Sequence, residues 1–223
     1  MSLGFSVGTN GLISAISDDG NIVIRNHRVG SNFIAYRWTS SGGLTDIGDL
    51  PGGDTYSWAM AMSADGQTLV GQSCSTSSGS NPEAFRWTQA GGMVGLGDLP
   101  GASFYSLATD VSADGSVITG MGNQTAGYEA FRWTSATDMM GLGDLPGGYF
   151  NSQASAISSD GSVIVGHSYN SDTHEEGFRW TASTGTTGIG YAPGDDRSLA
   201  YDVSADGSVI VGSDETGAGH ALI

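Results

Sequence analysis

Two aspartates at matching positions of a repeated sequence are the residues best suited to chemistry. Asp110 and Asp202 each stand four residues before an Asp-Gly pair, where the other copies of the pattern have alanine. Two carboxylates could act as acid and base on a glycosidic bond or hold a cation such as calcium. No third acid occupies this position, and acids at a channel mouth are commonly hydrated. We therefore expect no catalysis, no cofactor and no metal, with a carbohydrate-active enzyme or a calcium site at these acids as the alternative.

The positions of these acids are set by a repeat of short phrases. E-A-F-R-W-T occurs at residues 83–88 and 129–134, with near copies at 34–39 and 176–181. G-D-L-P-G phrases recur in step, and so do Asp-Gly pairs, which begin at Asp19, Asp65, Asp114, Asp160 and Asp206. A period of about 46 residues is typical of a propeller or another repeat array.

Each period contains four short segments with strand character. In the third repeat they are residues 107–112, 117–119, 129–134 and 139–145. The first two flank Asp114-Gly115, a sequence that favours a hairpin turn because both residues tolerate positive φ. No window has a helical period. Four antiparallel strands per period predict the blade of a β-propeller.

The two ends of the sequence complement each other. Residues 199–223 contain three strands of a fifth repeat, and residues 3–8 resemble the fourth strand that would follow. We therefore predict an all-β, five-bladed β-propeller with four antiparallel strands per blade, closed by the N-terminal strand, which would leave no exposed sheet edge. It would be a single domain, with repeats at about 9–53, 54–101, 102–147, 148–194 and 195–223 plus 1–8.

The repeated tryptophans and arginines are interpreted as structural. An aromatic ring at one position of every repeat suits packing between neighbouring blades, and a recurring arginine beside it needs a partner. Three repeats carry both the arginine and a G-D-L-P-G aspartate, and the fifth lacks both, so we expect an ion pair between them. The tryptophans are Trp38, Trp87, Trp133 and Trp180; the arginines are Arg37, Arg86, Arg132 and Arg179; the aspartates are Asp49, Asp98 and Asp144.

The composition excludes several classes of protein. The net charge is −16, from 23 acidic residues against 7 arginines and no lysine, so the surface repels nucleic acid and anionic membranes. Cys74 is the single cysteine, so no internal disulfide is expected, and no apolar run approaches the roughly 20 residues of a membrane span. No signal peptide is visible, so the signal of an exported parent protein is expected to lie outside this sequence. The histidines lack a zinc spacing, and His174, Glu175 and Glu176 are expected to be hydrated.

The phrases S-A-D-G-S-V-I-V-G, E-A-F-R-W-T and G-L-G-D-L-P-G together resemble the HAF-type extracellular repeat, a family named for a His-Ala-Phe triplet. At the triplet position this sequence has EAF twice, EGF, IAY and, at His220, HAL. The resemblance covers nearly the whole chain. It implies a bacterial protein that is secreted or displayed at the cell surface, with anchoring segments elsewhere, and it implies no activity. We therefore expect an extracellular, monomeric domain of a longer chain.

One face of the predicted propeller varies from repeat to repeat, and binding is expected there. Its loops carry aromatic rings beside polar residues, a combination that suits sugars. The sequence thus predicts a non-enzymatic module that binds glycan or protein. Alternatively, the rings only cover neighbouring loops, and the domain is a passive spacer. The candidate residues are Tyr56, Trp58, Phe104, Tyr105, Tyr149, Phe150, Asn151, Asp195 and Asp196.

Overall fold

A computed structural model describes residues 11–101, 103–214 and 220–222 of the chain. Regular structure in these ranges consists of antiparallel β-strands in five sheets. Sheet 1 contains β1 (Gly11–Ile16), β2 (Ile22–Val29), β3 (Asn32–Thr39) and β4 (Gly43–Asp46). Sheet 2 contains β5 (Gly52–Met62), β6 (Thr68–Ser75), β7 (Pro82–Thr88) and β8 (Gly92–Gly95). Sheet 3 contains β9 (Ser106–Val111), β10 (Val117–Gln124), β11 (Gly127–Thr134) and β12 (Asp138–Gly141). Sheet 4 contains β13 (Gly147–Ile157), β14 (Ile164–Asn170), β15 (Glu175–Thr181) and β16 (Gly185–Gly188). Sheet 5 contains β17 (Ser198–Val203), β18 (Ile210–Asp214) and β19 (His220–Leu222).

The sheets follow one another around a common centre. Within each sheet the strands lie in chain order, and the first strands of successive sheets contact each other. The first strand of each repeat is therefore innermost, as in a propeller, and the last strand is outermost.

The prediction of five four-stranded blades closed by the N-terminal strand is wrong. Four sheets have four strands, but sheet 5 has three, and no described strand pairs with the outer edge of β19. The sheets form no closed ring within the described ranges. The predicted closing segment, residues 3–8, lies outside those ranges. The observed architecture is a partial, propeller-like array of five sheets.

The Asp-Gly pairs form the tight turns between the first two strands of each sheet. In the third repeat Ser112 Oγ donates to Asp114 Oδ1 at 2.7 Å and accepts the N–H of Val117 at 3.0 Å. Asp114 Oδ1 also accepts the N–H of Ser116 at 2.9 Å, and Gly115 has a φ of 72°, which favours glycine. The same bonds recur in the other four repeats. The phrase Ser-x-Asp-Gly therefore fixes this turn locally.

Backbone hydrogen bonds join these turns from one sheet to the next. The N–H of Asp18 donates to the carbonyl of Ala64, and the N–H of Ala64 donates to the carbonyl of Ala113, each at 3.0 Å. The row continues from Ala113 to Ser159 at 2.9 Å and from Ser159 to Ala205 at 3.1 Å. We name this side of the molecule the turn face. The opposite side, the loop face, carries the loops between the second and third strands and those that follow the fourth strands.

The phrase E-A-F-R-W-T recurs because its glutamate fixes the loop after the fourth strand and its apolar residues pack between sheets. Glu129 Oε1 accepts the N–H of Gly143 at 2.8 Å, which fixes the G-D-L-P-G loop after β12. Ala130 and Phe131 are fully buried between sheets. The equivalent carboxylates make the same contact, from Glu83 to Gly97 and from Glu176 to Gly190.

Replacing Glu129 with Ala is expected to lower the free energy of unfolding by about 1–3 kcal/mol, because it leaves the partly buried N–H of Gly143 without a partner. Urea denaturation measures the loss. Glu129→Gln is the matched control, since its amide oxygen can still accept the bond, and it should recover most of the stability. Equal losses for Ala and Gln would show that the contact contributes little.

Apolar layers fill the space between successive sheets. The layer between sheets 1 and 2 contains Ile24, Ala35, Ile47, Leu50, Ala59, Leu69, Phe85 and Trp87. Equivalent layers lie between sheets 2 and 3 and between sheets 3 and 4, and Trp133 and Trp180 pack against them. Each layer combines residues of two neighbouring sheets, so burial couples every sheet to the next.

The expected ion pair between the repeated arginines and the G-D-L-P-G aspartates is wrong. Arg37 Nε donates to the carbonyl of Gly66, in the next Asp-Gly turn, at 3.3 Å. Asp98 accepts the N–H of Tyr105 on the loop face at 2.9 Å. The third strand of each repeat carries the arginine toward the turn face, and the fourth strand runs back and carries the aspartate to the loop face. In the described ranges none of these arginines forms an ion pair with these aspartates.

Candidate functional site

Between sheets 1 and 2 the loop face carries an aromatic pair and a cavity. The rings of Phe33 and Trp58 meet edge to face, with centroids 4.6 Å apart. Tyr56, a second predicted residue, accepts a hydrogen bond from Gln72 Nε2 at 2.8 Å. The cavity has a volume of about 320 Å³ and is lined by Asn32, Asp54, Tyr56, Cys74, Ser80 and Pro82.

The cysteine in this cavity is not suited to act as a nucleophile. Its Sγ lies 3.7 Å from the carbonyl oxygen of Ser80, to which the thiol donates. Burial, with the charges of Asp54 and Asp49, raises the pKa of the Cys74 thiol. A thiol that stays protonated is a weak nucleophile, so the cavity offers polar and aromatic contacts rather than covalent chemistry.

Sheet 3 has an aromatic pair of its own on the loop face. The ring centroids of Tyr105 and Tyr128 lie 5.5 Å apart, and the angle between the two ring planes is 60°. Phe104, next to Tyr105, is half-buried. Burial raises the pKa of Tyr105, so its hydroxyl stays protonated and can donate a hydrogen bond.

Sheets 4 and 5 bring together the most varied group of side chains on the loop face. Tyr149 is 67% exposed, and its ring centroid lies 6.0 Å from that of Tyr169. The hydroxyl of Tyr169 donates to Glu175 Oε1 at 3.2 Å, and Arg197 forms an ion pair with Glu175. We name these four residues the Tyr149 cluster. It offers an exposed aromatic face beside a charged pair, which suits a ligand with both apolar and polar surfaces.

A hydrogen-bonded network lies next to this cluster in the sequence. Asn170 Nδ2 donates to Glu176 Oε2 at 3.0 Å and also to the hydroxyl of Tyr191. Burial, followed by the charge of Glu176, raises the pKa of Tyr191 to about 12. The expectation that Glu175 and Glu176 are hydrated is therefore wrong, since both carboxylates have protein partners.

His167 and the loop at residues 195–197 complete the surroundings. Burial is the main reason that the pKa of His167 lies below its ordinary value, so the imidazole is neutral near pH 7. Asp195 donates its N–H to the carbonyl of Ala192 at 3.0 Å, and Asp196 is exposed. Arg197, the last residue of this loop, reaches the cluster through its ion pair with Glu175.

The structure divides the predicted loop residues into two groups. Trp58, Tyr105 and Tyr149 belong to aromatic pairs. Phe150 and Asn151 are half-buried and belong to β13. Sequence reasoning missed Tyr169, Glu175 and Arg197 as partners of Tyr149. A signal was present, because residues 167–176 contain three acidic residues, more than the equivalent segment of any other repeat.

The two channel acids have different environments. Asp110 accepts the N–H of Val111 through Oδ1 at 2.8 Å and the N–H of Ile157 through Oδ2 at 2.9 Å. Burial raises the pKa of Asp110 to about 6, and the charge of Asp202 adds to the increase. Asp202 itself is exposed. Asp110 thus links β9 to β13. No cluster of three or more metal-ligating side chains occurs in the described part of the chain.

The turn face also has a depression, although the sequence favours a purely structural role for that side. It has a volume of about 820 Å³, and its lining includes Arg132 and Arg179 with Asp160 and Asp206. Both signs of charge line it, so it has no net preference for an anion or a cation.

Comparison with known proteins identifies the fold type and no family. No family model matches the chain, and no curated protein is similar to it in sequence. A protein assigned as TolB from Agrobacterium tumefaciens has a similar structure, with a TM-score of 0.60 and 16% identity, over 93% of this chain and 71% of that protein. TolB from Acinetobacter baumannii gives 0.58 and 14%, over 92% and 51%. A prolyl endopeptidase gives 0.62 and 10%, over 95% and 34%. The chain thus spans about half of the second protein and a third of the last. These likenesses support a β-propeller type of fold, as the sheet order does.

The described ranges contain no helix that is long and apolar enough to cross a membrane.

Proposed function

We propose that this chain is a non-enzymatic interaction module that binds a protein or glycan partner through its loop face. The observation that carries the proposal is the Tyr149 cluster, in which an exposed aromatic ring lies beside a paired glutamate and arginine. Aromatic rings supply large contact areas at a small entropic cost, and the charged pair supplies hydrogen bonds of fixed direction.

The contrast between the two faces supports this assignment. On the turn face the aspartate and serine oxygens are used within each turn, and the same bonds recur from sheet to sheet. The loop face instead differs in every repeat, with a cavity between sheets 1 and 2, a tyrosine pair in sheet 3 and the charged cluster in sheets 4 and 5. Variable loops on a rigid scaffold are where binding residues concentrate in many folds.

The hydrogen bonds of Asp110 favour a binding role over catalysis. A general acid or base must reach the substrate, but both oxygens of Asp110 accept backbone N–H groups of the sheets. The proposal extends to an extracellular or surface-displayed position in a longer chain. Its support is the resemblance to HAF-type repeats and the acidic composition.

Replacing Tyr149 with Ala is expected to weaken binding about tenfold, because stacking on an aromatic ring contributes roughly 1 kcal/mol and burial adds to it. The melting temperature should stay unchanged, since the ring is largely exposed. Arrays of multivalent glycans and of surface-protein peptides identify the ligand, and titration calorimetry measures its affinity.

Val94→Ala is the matched control, because Val94 is an exposed apolar residue on the outermost strand of sheet 2. It should leave binding intact. Failure to bind on both arrays would favour the passive spacer. Binding that survives Tyr149→Ala would place the site elsewhere.

A further inference from the structure

The first strand of sheet 1 exposes apolar residues at positions that are buried in the other sheets. Ile13 is 54% and Ile16 is 61% exposed. The equivalent residues of sheet 3, Ala108 and Val111, are 0% and 6% exposed, because they pack against sheet 2. Sheet 1 therefore presents the surface that each later sheet turns toward the sheet before it, and within the described ranges nothing covers it.

Sheet 5 has the complementary feature on its other side. Val209 is 44% and Val211 is 41% exposed. The equivalent residues of sheet 4, Val163 and Val165, are 4% and 0% exposed, because they pack in the layer shared with Ala200 of sheet 5. Sheet 5 therefore presents the surface that each earlier sheet turns toward the sheet after it.

The row of hydrogen bonds across the turn face is open at both ends. Ala64, Ala113 and Ser159 each donate an N–H to the next sheet and accept one from the preceding sheet. Among the described residues, Ala205 accepts from Ser159 but its N–H has no acceptor, and the carbonyl of Asp18 has no donor. One end of the row is a donor and the other end is an acceptor.

A buried histidine nitrogen marks the same edge on the loop face. In sheets 2, 4 and 5 one side chain of the second strand accepts an N–H from the loop that leaves the preceding sheet, whereas sheet 3 has Gly122 at that position. The contacts are Leu50 to Ser73 at 3.0 Å, Leu145 to Ser168 at 3.2 Å and Ala192 to Asp214 at 2.9 Å. The equivalent residue in sheet 1 is His27, whose buried Nδ1 has no hydrogen-bond partner among the described residues.

We propose that these two surfaces dock one further four-stranded sheet of the same repeat, joined to this chain. One face of this sheet would cover Val209 and Val211 of sheet 5, and its opposite face would cover Ile13 and Ile16 of sheet 1. Such a sheet also supplies the missing backbone acceptor and donor on the turn face, together with a loop N–H for His27. A generic apolar ligand would satisfy the apolar surfaces but leave these three polar atoms unpaired.

Paired substitutions test whether the surfaces are open in the chain itself. The double variant Val209→Ser and Val211→Ser should leave the melting temperature within about 2 °C of the original, because both residues are exposed. The matched control, Val163→Ser and Val165→Ser, places the same changes at buried positions and should lower it by about 10 °C or more. Equal losses in the two variants would mean that the surface of sheet 5 is already covered, and would overturn the proposal.

Extending the chain tests the occupant. A copy of residues 133–193 placed after Ile223 would supply, by sequence alignment, an outer strand for sheet 5 and one further repeat. We expect the melting temperature to rise by about 5 °C or more, the binding of a hydrophobic dye to fall, and the amide of Ala205 to exchange more slowly. The Val209→Ser and Val211→Ser changes should remove the gain in melting temperature.

Three results would overturn the proposal. One is an extended chain with unchanged stability, dye binding and exchange. Another is sedimentation that shows the unextended chain to be a dimer, since a second copy would then be the occupant. The third is measured on the unextended chain and decides the question if the extended chain is insoluble. Slow hydrogen exchange of the Ala205 amide would show that this N–H already has a partner, whereas rapid exchange supports the proposal.

Discussion

Replacing Phe131 with Ala is expected to lower the free energy of unfolding by about 3–5 kcal/mol, the range for removing a fully buried aromatic side chain. Phe131 is 0% exposed and lies in the layer between sheets 2 and 3, with Leu96, Ala108 and Ile118. The substitution leaves a cavity between two sheets whose backbones are fixed by their own hydrogen bonds, so the layer cannot easily collapse. Urea denaturation followed by tryptophan fluorescence measures the loss.

Two comparisons make this prediction specific to the layer. Phe178→Ala removes the equivalent ring between sheets 3 and 4 and should cost a similar amount. Met140→Ala removes an exposed side chain from the outermost strand of sheet 3 and should cost less than about 0.5 kcal/mol. A loss below 1 kcal/mol for Phe131→Ala would mean that the layer between the sheets is loosely packed.

The free energy of unfolding of the original chain, minus that of the Asp110→Asn variant, is expected to rise by up to about 3 kcal/mol as the pH falls from 7 to 4. Burial raises the pKa of Asp110 from 3.8 to about 6 in the folded state. Between these values the folded chain binds a proton that the unfolded chain does not, so protonation favours folding. The contribution is complete below pH 3.8 and is lost as the pH rises through 6. Urea denaturation of both proteins at several pH values measures it.

Asp202→Asn is the matched control for this titration. Its side chain is exposed, and its charge is the smallest of the causes that act on Asp110. The variant should therefore keep most of the pH dependence of the original chain. A difference between the original chain and Asp110→Asn that does not change with pH would show that Asp110 has an ordinary pKa and that its link to β13 is hydrated.

The local part of the fold could be predicted from the sequence because its determinants are local. The turn at Asp114 depends on Ser112 and Gly115, which lie within three residues of one another. Alternation in E-A-F-R-W-T likewise places Phe131 in the core, because successive side chains of a strand point to opposite sides.

The predicted ion pair between the repeated arginines and aspartates is wrong, because the absence of both residues from the fifth repeat does not require that they contact each other in the other repeats. Strand direction gave the information needed to reject it. Arg132 lies two residues before the end of β11, and Asp144 lies three residues beyond the end of β12, which runs the opposite way. The two residues are carried toward different faces, a result that follows from strand lengths alone.

The open surface of sheet 1 and the Tyr149 cluster depend on contacts between distant segments. The sequence contains one indication of the open surface, because Ile13 occupies the position at which the four other repeats have a small alanine that fits against a neighbouring sheet. The cluster joins Tyr149, Glu175 and Arg197 from three separate segments, and only the assembled sheets show that they meet.

The Asp-Gly turns also determine how the protein ages chemically. In a flexible peptide the glycine nitrogen attacks a protonated aspartyl carboxyl and water leaves. Water then opens the resulting succinimide to isoaspartate. Here each of these glycine N–H groups donates to a serine carbonyl, for example Gly207 to Ser204 at 2.8 Å. Hydrogen bonds from Ser204 and Ser208 also lower the pKa of Asp206 to about 2, so the carboxyl stays ionised and unreactive. Isoaspartate at these five sites would therefore accumulate while the chain is unfolded, and its amount would record that time.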